Sequence, residues 1–440
     1  MPPATASTTD DSIWGEIRNG FSLQERKDPQ LVQHILWFKN NQEYLTRALN
    51  RSHPYLYHIV KRIKRRKLPM ELALLPVIES AFQSYAYSKG HAVGLWQFIP
   101  STGKIYGLKQ NWWIDQRRSP LASTDAALYF LTDMAREFDG DWLLALSAYN
   151  TGAGNVRKAI RGYHQQQPKH GDNSKRPGFW DLQLPRETRG YVPRLLALAR
   201  FIEEAERYNF ELPEITDRAV TVVVDTEQQI DLALAAELAQ LPLEKIHQLN
   251  SGLNQWATPP DGPHQLLLPS AHAALFRKNL AKRGSGTRTG WKRHLVESGD
   301  SLSMLAQRYN TTVTEIRRQN QLQSMQIRAG ERLTIPVPIR PMESYNLDTA
   351  TDSAKPKKKR VRQWKSTIET TPRARPEFLA KMATHTISYR VQSNDTLSEI
   401  AQKFRLSTDD LMRQNQINKG DILRVGDILT IQIDITRAAP

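Results

Sequence analysis

Apolar residues in the first half of the chain recur at the three- and four-residue spacings of amphipathic helices. Such spacings run through residues 11–67, and the segment around Leu31, Ile35 and Leu36 is an example. Start signals predict three further helices, over about 119–138, 141–150 and 188–208. Because few alternating strand patterns accompany them, we expect the first half to be mainly α-helical.

One carboxylate interrupts the apolar stripe of a helix predicted to begin at Pro69. The stripe consists of Leu68, Leu72, Leu75, Glu79 and Phe82. Its spacing places Glu79 on the buried face, where loss of water raises the pKa of a carboxyl group and lets it hold a proton near neutral pH. That property suits a general acid. Pro76 should kink or interrupt the helix, and the alternative is a solvated Glu79 at the edge of the stripe.

The second half of the chain contains a repeat. Residues 294–335 and 389–431 align at an offset of 95, which becomes 96 after one inserted residue. Each copy reads as short strand, helix, helix, short strand, and so predicts a βααβ unit. In a weaker copy, at an offset of 70, Leu232, Ala236 and Asn250 fall on Leu302, Ala306 and Asn320. We favour a degenerate third unit there, and the alternative is a coincidental αβ segment.

The 440 residues carry a net charge of +16, and half of this excess lies between Lys355 and Arg375. That stretch has nine Lys or Arg, one Glu and few apolar residues, which is typical of a disordered linker. No nucleic-acid recognition fold accompanies it, so we expect no nucleic-acid partner. The composition favours an anionic membrane surface or an anionic wall polymer instead.

The sequence offers no basis for metal or cofactor chemistry. There are no cysteines, which excludes disulfides and thiolate metal sites. The histidines lack metal-ligand spacing and no glycine-rich phosphate loop is present, so we expect neither a metal nor a cofactor. No window of about eighteen apolar residues predicts a transmembrane helix. Residues 1–14 lack the pattern of a signal peptide, and we expect any export segment to be absent from these 440 residues.

The segment around Glu79 resembles the catalytic motif of the soluble lytic transglycosylase (SLT) superfamily. The family pattern is Glu-Ser, then Ser-x-x-Gly-Ala-x-Gly-Leu-x-Gln, then Pro-x-Thr. It corresponds here to residues 79–80, 88–97 and 100–102, with His91 as an inserted residue. The family's second motif corresponds to residues 148–156 and its closing Glu-Thr-Arg-x-Tyr-Val-Pro to 187–193. The resemblance implies a lysozyme-like catalytic domain.

The same resemblance assigns roles to individual residues. Glu79 is the implied acid and base in the cleavage of a glycosidic bond of peptidoglycan. The implied substrate-binding residues are Ser80, Ser88, Gly94, Gln97, Phe98, Tyr149, Asn150 and Tyr191. Gly94 is expected to leave room for substrate, and Tyr149 to hydrogen-bond near Glu79. Structural roles are the alternative for four of these residues: Ser80 and Ser88 in capping or turns, Phe98 in the core, and Asn150 as a helix cap.

No second carboxylate of this region has a setting comparable with that of Glu79. Solvated helix faces explain the candidates better than catalysis: Asp115, Asp125, Asp133 and Asp139. Glycosidases normally use two carboxylates. The SLT resemblance implies a route with one, in which groups of the substrate replace the second carboxylate and water.

The two clear repeats resemble LysM, a module that binds chains containing N-acetylglucosamine. The resemblance implies glycan contacts from Gly299, Asp300, Asn320, Asn394, Asp395 and Asn415. Glycan strands of peptidoglycan are therefore the expected partner, and we expect the protein to be a monomer.

Together these patterns predict a multidomain protein with a mainly α, lysozyme-like catalytic domain followed by small α+β (βααβ) LysM domains. The expected segments are an N-terminal helical region packed on the catalytic domain (1–67), the catalytic domain (68–208), a degenerate LysM-like domain (215–283), LysM 1 (292–337), a basic flexible linker (338–385) and LysM 2 (386–434). The expected activity is that of a peptidoglycan lytic transglycosylase in the periplasm or cell envelope of a Gram-negative bacterium, with an outer-membrane lipoprotein as one implied form. The alternatives are a hydrolase of the goose-lysozyme kind and a non-catalytic peptidoglycan-binding protein.

Overall fold

The computed structural model describes residues 12–23, 26–88, 90–166, 176–284, 286, 288–341 and 345, and then 384–391, 396–397, 400–401, 408–415, 417 and 427–434. The chain separates into two compact units, one made of residues 1–86 and 93–349 and the other of residues 87–92 and 350–440. Within the described residues the first half is helical, and the named strands all lie beyond residue 220. The predicted fold class is confirmed.

Ten α-helices of the described residues form the first half. They are α1 Ile13–Asn19, α2 Pro29–Asn40, α3 Gln42–Ser52, α4 Leu56–Arg66, α5 Leu75–Ser80, α6 Pro100–Ile105, α7 Pro120–Glu137, α8 Trp142–Thr151, α9 Ala153–Gln166 and α10 Arg186–Glu203. Asp141 starts α8 because its carboxylate accepts the amides of Leu143 and Leu144. The helices predicted at 119–138 and 141–150 are confirmed. The third predicted helix, expected over 188–208, is α10, which begins two residues before Thr188 and ends at Glu203. A 3-10 turn, Ala205–Tyr208, follows it.

The helix predicted from Pro69 is two separate elements. Residues Met70–Leu74 form a 3-10 helix, and α5 starts anew at Leu75. Pro76 lies in the first turn of α5, where its missing N–H removes no helical hydrogen bond. The expected interruption at Pro76 is therefore confirmed, and it leaves Glu79 on a short helix of its own.

The N-terminal helices and the helices of the SLT-like segment share one hydrophobic core. Ile13 of α1 and Leu196 of α10 belong to the same cluster of buried side chains. On the surface, Lys61 of α4 pairs with Glu16 of α1 at 2.6 Å and with Asp217 at 2.7 Å. The described residues of the segment 12–67 therefore pack into the same hydrophobic core as α10.

Small βααβ units form the second half. The first consists of β1 Thr221–Asp225, α11 Leu232–Ala239, α12 Leu243–Leu249 and β2 Gln265–Pro269, and is followed by α13 Ser270–Arg283. The second consists of β3 Gly290–Leu295, α14 Leu302–Arg308, α15 Val313–Gln319 and β4 Arg332–Val337. The strands pair antiparallel, from Thr221↔Pro269 to Asp225↔Gln265 and from Gly290↔Val337 to Leu295↔Arg332. We refer to the first unit with α13 as the LysM-like domain.

The third unit is described in part and has the same plan. It contains β5 Thr384–Arg390, α16 Thr408–Asn415 and β6 Ile428–Asp434. β5 and β6 pair antiparallel from Thr384↔Asp434 to Arg390↔Ile428. Ile400, Leu411 and Ile431 lie in its buried cluster.

One asparagine joins a helix to a strand in each of the three units. The Asn320 side-chain amide donates to the carbonyls of Ile316 and Thr334, both at 2.8 Å, and its Oδ1 accepts the Thr334 amide at 2.7 Å. Asn250 and Asn415 make the same three bonds in their own units. The weaker copy detected in the sequence is therefore built like the two clear ones.

The segment that follows β4 is anchored to the LysM-like domain. The Ile339 amide and the Tyr345 hydroxyl each donate to the buried carboxylate of Asp231 at 2.9 Å. Residues 339 and 345 are thus held by the LysM-like domain, and the predicted linker bounds of 338–385 stay a prediction. The basic tract 355–375 lies outside the described residues.

Candidate active site

Glu79 lies in the last turn of α5, where the chain leaves the helix. Ala81 and Phe82 adopt left-handed conformations with φ of +50° and +58°, and these end the helix. The Glu79 side chain is half-buried. Its Oε1 accepts a hydrogen bond from the hydroxyl of Tyr191 on α10. Folding thus brings the first and the third family motifs into direct contact.

Burial raises the pKa of the Glu79 carboxyl to about 7. The hydrogen bond from Tyr191 and the charge of Arg194 lower the pKa, because both stabilise the carboxylate, whereas the charge of Glu187 raises it. Burial exceeds these opposing effects. A carboxyl group with this pKa can donate a proton and take one back at the same pH.

Arg194 is a member of this site that the sequence analysis missed. It lies one turn after Tyr191 on α10, and its Nη2 donates to the carbonyl of Ile78 at 2.7 Å. Burial and the nearby Arg194 charge lower the pKa of His34, on α2, to about 4. The closing motif ends at Pro193, one residue before Arg194, so the motif comparison gave no reason to include it.

Ser80 holds the neighbouring turn. Its Oγ donates to the carbonyl of Leu95 at 2.9 Å and to that of Pro76 at 3.2 Å. The side chain is buried. These two bonds fix α5 to the segment 94–98, and substrate binding by Ser80 stays a prediction.

Tyr149, which was expected to hydrogen-bond near Glu79, bonds to the segment 94–98, and substrate binding by Tyr149 stays a prediction. Its hydroxyl donates to the carbonyl of Trp96 at 2.6 Å, and the hydroxyl that reaches Glu79 is that of Tyr191. Burial and the negative charge of Glu79 raise the pKa of both phenols well above the ordinary value. Both remain protonated at neutral pH, so Tyr191 acts as a hydrogen-bond donor.

Gly94 is required by packing. It has a φ of +83°, and a Cβ atom there would lie 2.1 Å from the carbonyl oxygen of Arg117. Protein backbone fills the space on the Cβ side of Gly94, and substrate binding by Gly94 stays a prediction. Gln97, with a φ of +50°, donates from its amide to the Gly94 carbonyl at 2.9 Å. Substrate binding by Gln97 stays a prediction.

Phe98 is a core residue. It is 2 % exposed, and its ring packs edge-on against Tyr149 with centroids 6.4 Å apart. Trp96 is also buried and donates from its indole to Thr124 at 2.9 Å. Both rings pack in the core, and substrate binding by Phe98 stays a prediction.

Asn150 and Ser88 each have a local partner. The Oδ1 of Asn150, in the last turn of α8, accepts the hydroxyl of Thr188 on α10 at 2.8 Å. Ser88 belongs to the other unit, where its Oγ accepts the Ala92 amide at 3.0 Å. Substrate binding by these two residues stays a prediction.

In LysM 1, Asp300 organises a turn. Its Oδ2 accepts the Glu297 amide at 2.9 Å and is hydrogen-bonded to His294 Nε2 at 2.7 Å. The same His294 ring bonds through Nδ1 to the Tyr309 hydroxyl at 2.9 Å. Gly299 has a φ of +94° and open space around its Cα. Glycan binding by Gly299 and Asp300 stays a prediction.

The asparagines predicted to bind glycan in the repeats have another role. Asn320 and Asn415 use both ends of their amides to join helix and strand. These bonds hold the fold, and glycan binding by the two asparagines stays a prediction. Asn394 and Asp395 lie outside the described residues.

The carboxylates that the sequence analysis set aside all pair with arginines. The pairs are Asp115–Arg117 at 2.7 Å, Asp125–Arg66 at 2.8 Å, Asp133–Arg136 at 3.2 Å, and Asp139–Arg176. Each of these carboxylates thus has an ion-pair partner, a setting unlike that of Glu79. Within the described residues, no three acidic or histidine side chains are grouped as metal ligands. In that same part of the chain, no helix combines the length and apolar character needed to cross a membrane.

Models of known families match four segments of the chain. The Transglycosylase SLT domain matches residues 57–171, the LysM-like domain of lytic transglycosylase MltD matches 220–284, and the LysM domain matches 294–336 and 389–432. Membrane-bound lytic murein transglycosylase D from Escherichia coli (strain K12) is 31% identical over 441 residues, which cover 98% of this chain and 88% of that protein. The chain belongs to the lytic murein transglycosylase D family.

Other similarities cover less of the chain. A putative tributyltin chloride resistance protein from Alteromonas sp. (strain M-1) is 47% identical over 110 residues, 25% of this chain and 53% of that protein. A solved structure of an inactive mutant of the lytic transglycosylase Slt from Pseudomonas aeruginosa is 25% identical, with a TM-score of 0.27 over 34% of this chain and 24% of that one. The SLT match itself includes Glu79 but ends before Tyr191.

Proposed function

We propose that this protein is a peptidoglycan lytic transglycosylase, a lyase that cleaves the β-1,4 bond between N-acetylmuramic acid and N-acetylglucosamine without consuming water. The observation that carries the proposal is the state of Glu79. It is a half-buried carboxyl with a pKa of about 7, and its hydrogen bond comes from a phenol, Tyr191. Membership of the lytic murein transglycosylase D family supports the same reaction.

In the first step, protonated Glu79 gives its proton to the glycosidic oxygen. The bond from that oxygen to the anomeric carbon of the muramyl residue breaks, and the 2-acetamido group of the same sugar stabilises the cation that develops. Tyr191 keeps the carboxyl oriented through Oε1 and stabilises the negative charge that appears on it.

In the second step, ionised Glu79 acts as the base. It takes the proton of the muramyl 6-hydroxyl, whose oxygen attacks the anomeric carbon. The products are a 1,6-anhydromuramyl end and a free 4-hydroxyl on N-acetylglucosamine, and Glu79 is again protonated. A pKa near 7 serves both steps, because neither direction of proton transfer is strongly uphill at neutral pH.

The rival with the same acid is a hydrolase of the goose-lysozyme kind. Purified murein digested with the full chain and analysed by mass spectrometry separates the two reactions. We expect muropeptides that carry anhydro ends and are lighter by one water than hydrolysis products. Reducing ends without anhydro product would overturn the transglycosylase reaction and leave a muramidase.

The second rival is a wall-binding protein without activity. The Glu79→Gln variant keeps the shape of the side chain and the acceptor for Tyr191 but removes the titrating proton. We expect loss of lysis of at least about a hundredfold, with murein sedimentation unchanged. Asp133→Asn is the matched control, since Asp133 is an arginine-paired carboxylate of the same domain, and it should keep activity. Equal lysis by Glu79→Gln and wild type would remove Glu79 from the mechanism.

The LysM repeats supply the attachment to the wall. Two weak glycan-binding modules on one chain raise the effective concentration of the catalytic domain at an insoluble polymer. We place the protein in the cell envelope of a Gram-negative bacterium, because this compartment contains the substrate. The same proposal includes a lipid anchor in the outer membrane. It also includes contact between the basic tract and anionic lipid. We further propose that the protein acts as a monomer, which sedimentation equilibrium tests.

A further inference from the structure

We propose that Arg117 is a positioning residue for Glu79, and that the LysM-like domain holds Arg117 in place. The inference rests on the proposed function, since it concerns the acid of that reaction. Residues 111–118, which we call the docking loop, connect α6 to α7 in the catalytic domain. They touch the LysM-like domain on one side and the segment 94–98 beside Glu79 on the other.

The docking loop and the LysM-like domain pair as two short antiparallel segments. The Asp115 amide donates to the Gly252 carbonyl, and the Asn254 amide donates to the Trp113 carbonyl, both at 2.8 Å. Ile114 lies opposite Leu253 between these two bonds. Paired backbone bonds fix the register of one segment against the other, so the contact has a single defined geometry.

Side chains close this contact to water. Trp113 and Trp256 are 6 % and 1 % exposed, and their rings meet edge to face with centroids 5.8 Å apart. Gly252 lies so close to the catalytic domain that a Cβ atom would be 3.0 Å from that of Ser119. The Asn254 side-chain amide also donates to the Asn111 carbonyl at 3.0 Å. Buried aromatic surface with satisfied backbone bonds is typical of a permanent domain contact.

Arg117 connects the docking loop to the segment 94–98. Its guanidinium donates to the Asp115 carboxylate at 3.0 and 2.7 Å, and its Nη1 donates to the Phe98 carbonyl at 3.2 Å. Arg117 is 7 % exposed. The Arg117 carbonyl fills the space beside Gly94. Both ends of the segment 94–98 therefore rest on one residue of the docking loop.

The segment 94–98 reaches Glu79 through Ser80. The Leu95 carbonyl accepts the Ser80 hydroxyl at 2.9 Å, and Ser80 is the residue after Glu79. If Arg117 no longer held this segment, α5 would lose a lateral support and water would reach the carboxyl more easily. Greater hydration lowers the pKa of a buried carboxyl, and a displaced acid slows proton transfer.

Arg117→Ala in the full chain tests the inference by steady-state lysis of purified murein over a range of pH. We expect kcat to fall roughly 10- to 100-fold with KM nearly unchanged, because the substrate-binding surface stays while the acid is misplaced. The alkaline limb of the pH–rate profile should move to lower pH. Arg117→Lys should restore part of kcat, since an ammonium can still donate to the Phe98 carbonyl.

Gly252→Val, on the LysM-like side of the contact, should lower kcat and shift the alkaline limb in the same direction. Glu237→Ala, an exposed position of the same domain, is the control and should leave both unchanged. Folded Arg117→Ala protein with wild-type kcat and an unmoved pH limb would overturn the inference. A wild-type chain that forms no anhydro product would instead overturn the proposed function, so the two failures are distinguishable.

Discussion

Replacing Glu79 by glutamine should stabilise the folded protein, and increasingly so as the pH rises. The ordinary pKa of 4.5 describes the unfolded chain, and burial raises the pKa to about 7 in the folded state. Below pH 4.5 the group is protonated in both states. Between the two values the folded state keeps a proton that the unfolded state has lost, so the free energy of unfolding falls as the pH rises. Above 7 the difference is constant, and over the whole interval it amounts to about 3 kcal/mol.

Glutamine resembles the protonated acid, so wild type and Glu79→Gln should be similarly stable near pH 4 and should diverge by up to about 3 kcal/mol by pH 8. The assay is amide hydrogen exchange of the most protected amides of α10, which reports this core separately from the LysM units. Glu237→Gln, at an exposed position, controls for the loss of a charge. A stability difference between Glu79→Gln and wild type that is the same at both pH values would refute the reasoning, because it would mean that Glu79 is hydrated in the folded state.

Three further outcomes follow from the contacts described. The wild-type rate of murein cleavage should fall as the pH rises above about 7, where the donor proton of Glu79 is lost. A rate that does not change up to pH 9 would contradict this. Tyr191→Phe removes a hydrogen bond that lowers the pKa of Glu79, so the alkaline limb of the pH–rate profile should move to higher pH while kcat falls; an unmoved limb would contradict the contact. Asn320→Ala leaves the N–H and C=O groups of Thr334 without the Asn320 side chain as a partner, and should destabilise LysM 1 by about 1–3 kcal/mol in thermal unfolding. If it melts at the same temperature as the exposed-site control Gln323→Ala, these hydrogen bonds do not stabilise the unit.

The local pattern of apolar and polar residues was sufficient to predict the architecture of this protein. Helical spacing in the first half and a recurring βααβ pattern in the second depend on residues close in sequence, and both appear in the structure. The motif around Glu79 singled out this carboxyl group, since burial of one face of α5 follows from the apolar residues on either side. Its catalytic role is the proposal made above. The weaker repeat, which is the LysM-like domain, was also recognisable in the sequence, because Asn250 aligns with Asn320. The two asparagines make the same bonds in the structure.

The surroundings of the acid depended on tertiary contacts. Tyr149 and Tyr191 both lie in family motifs, but Tyr191, 112 residues along the chain from Glu79, is the one that bonds to it. Arg194 joins the site only because α10 packs against α5. The sequence left Phe98 open between core and substrate, and only the tertiary structure shows its burial. A pKa, a hydrogen-bond partner and the burial of a ring are set by groups far apart in sequence, and folding alone brings those groups together.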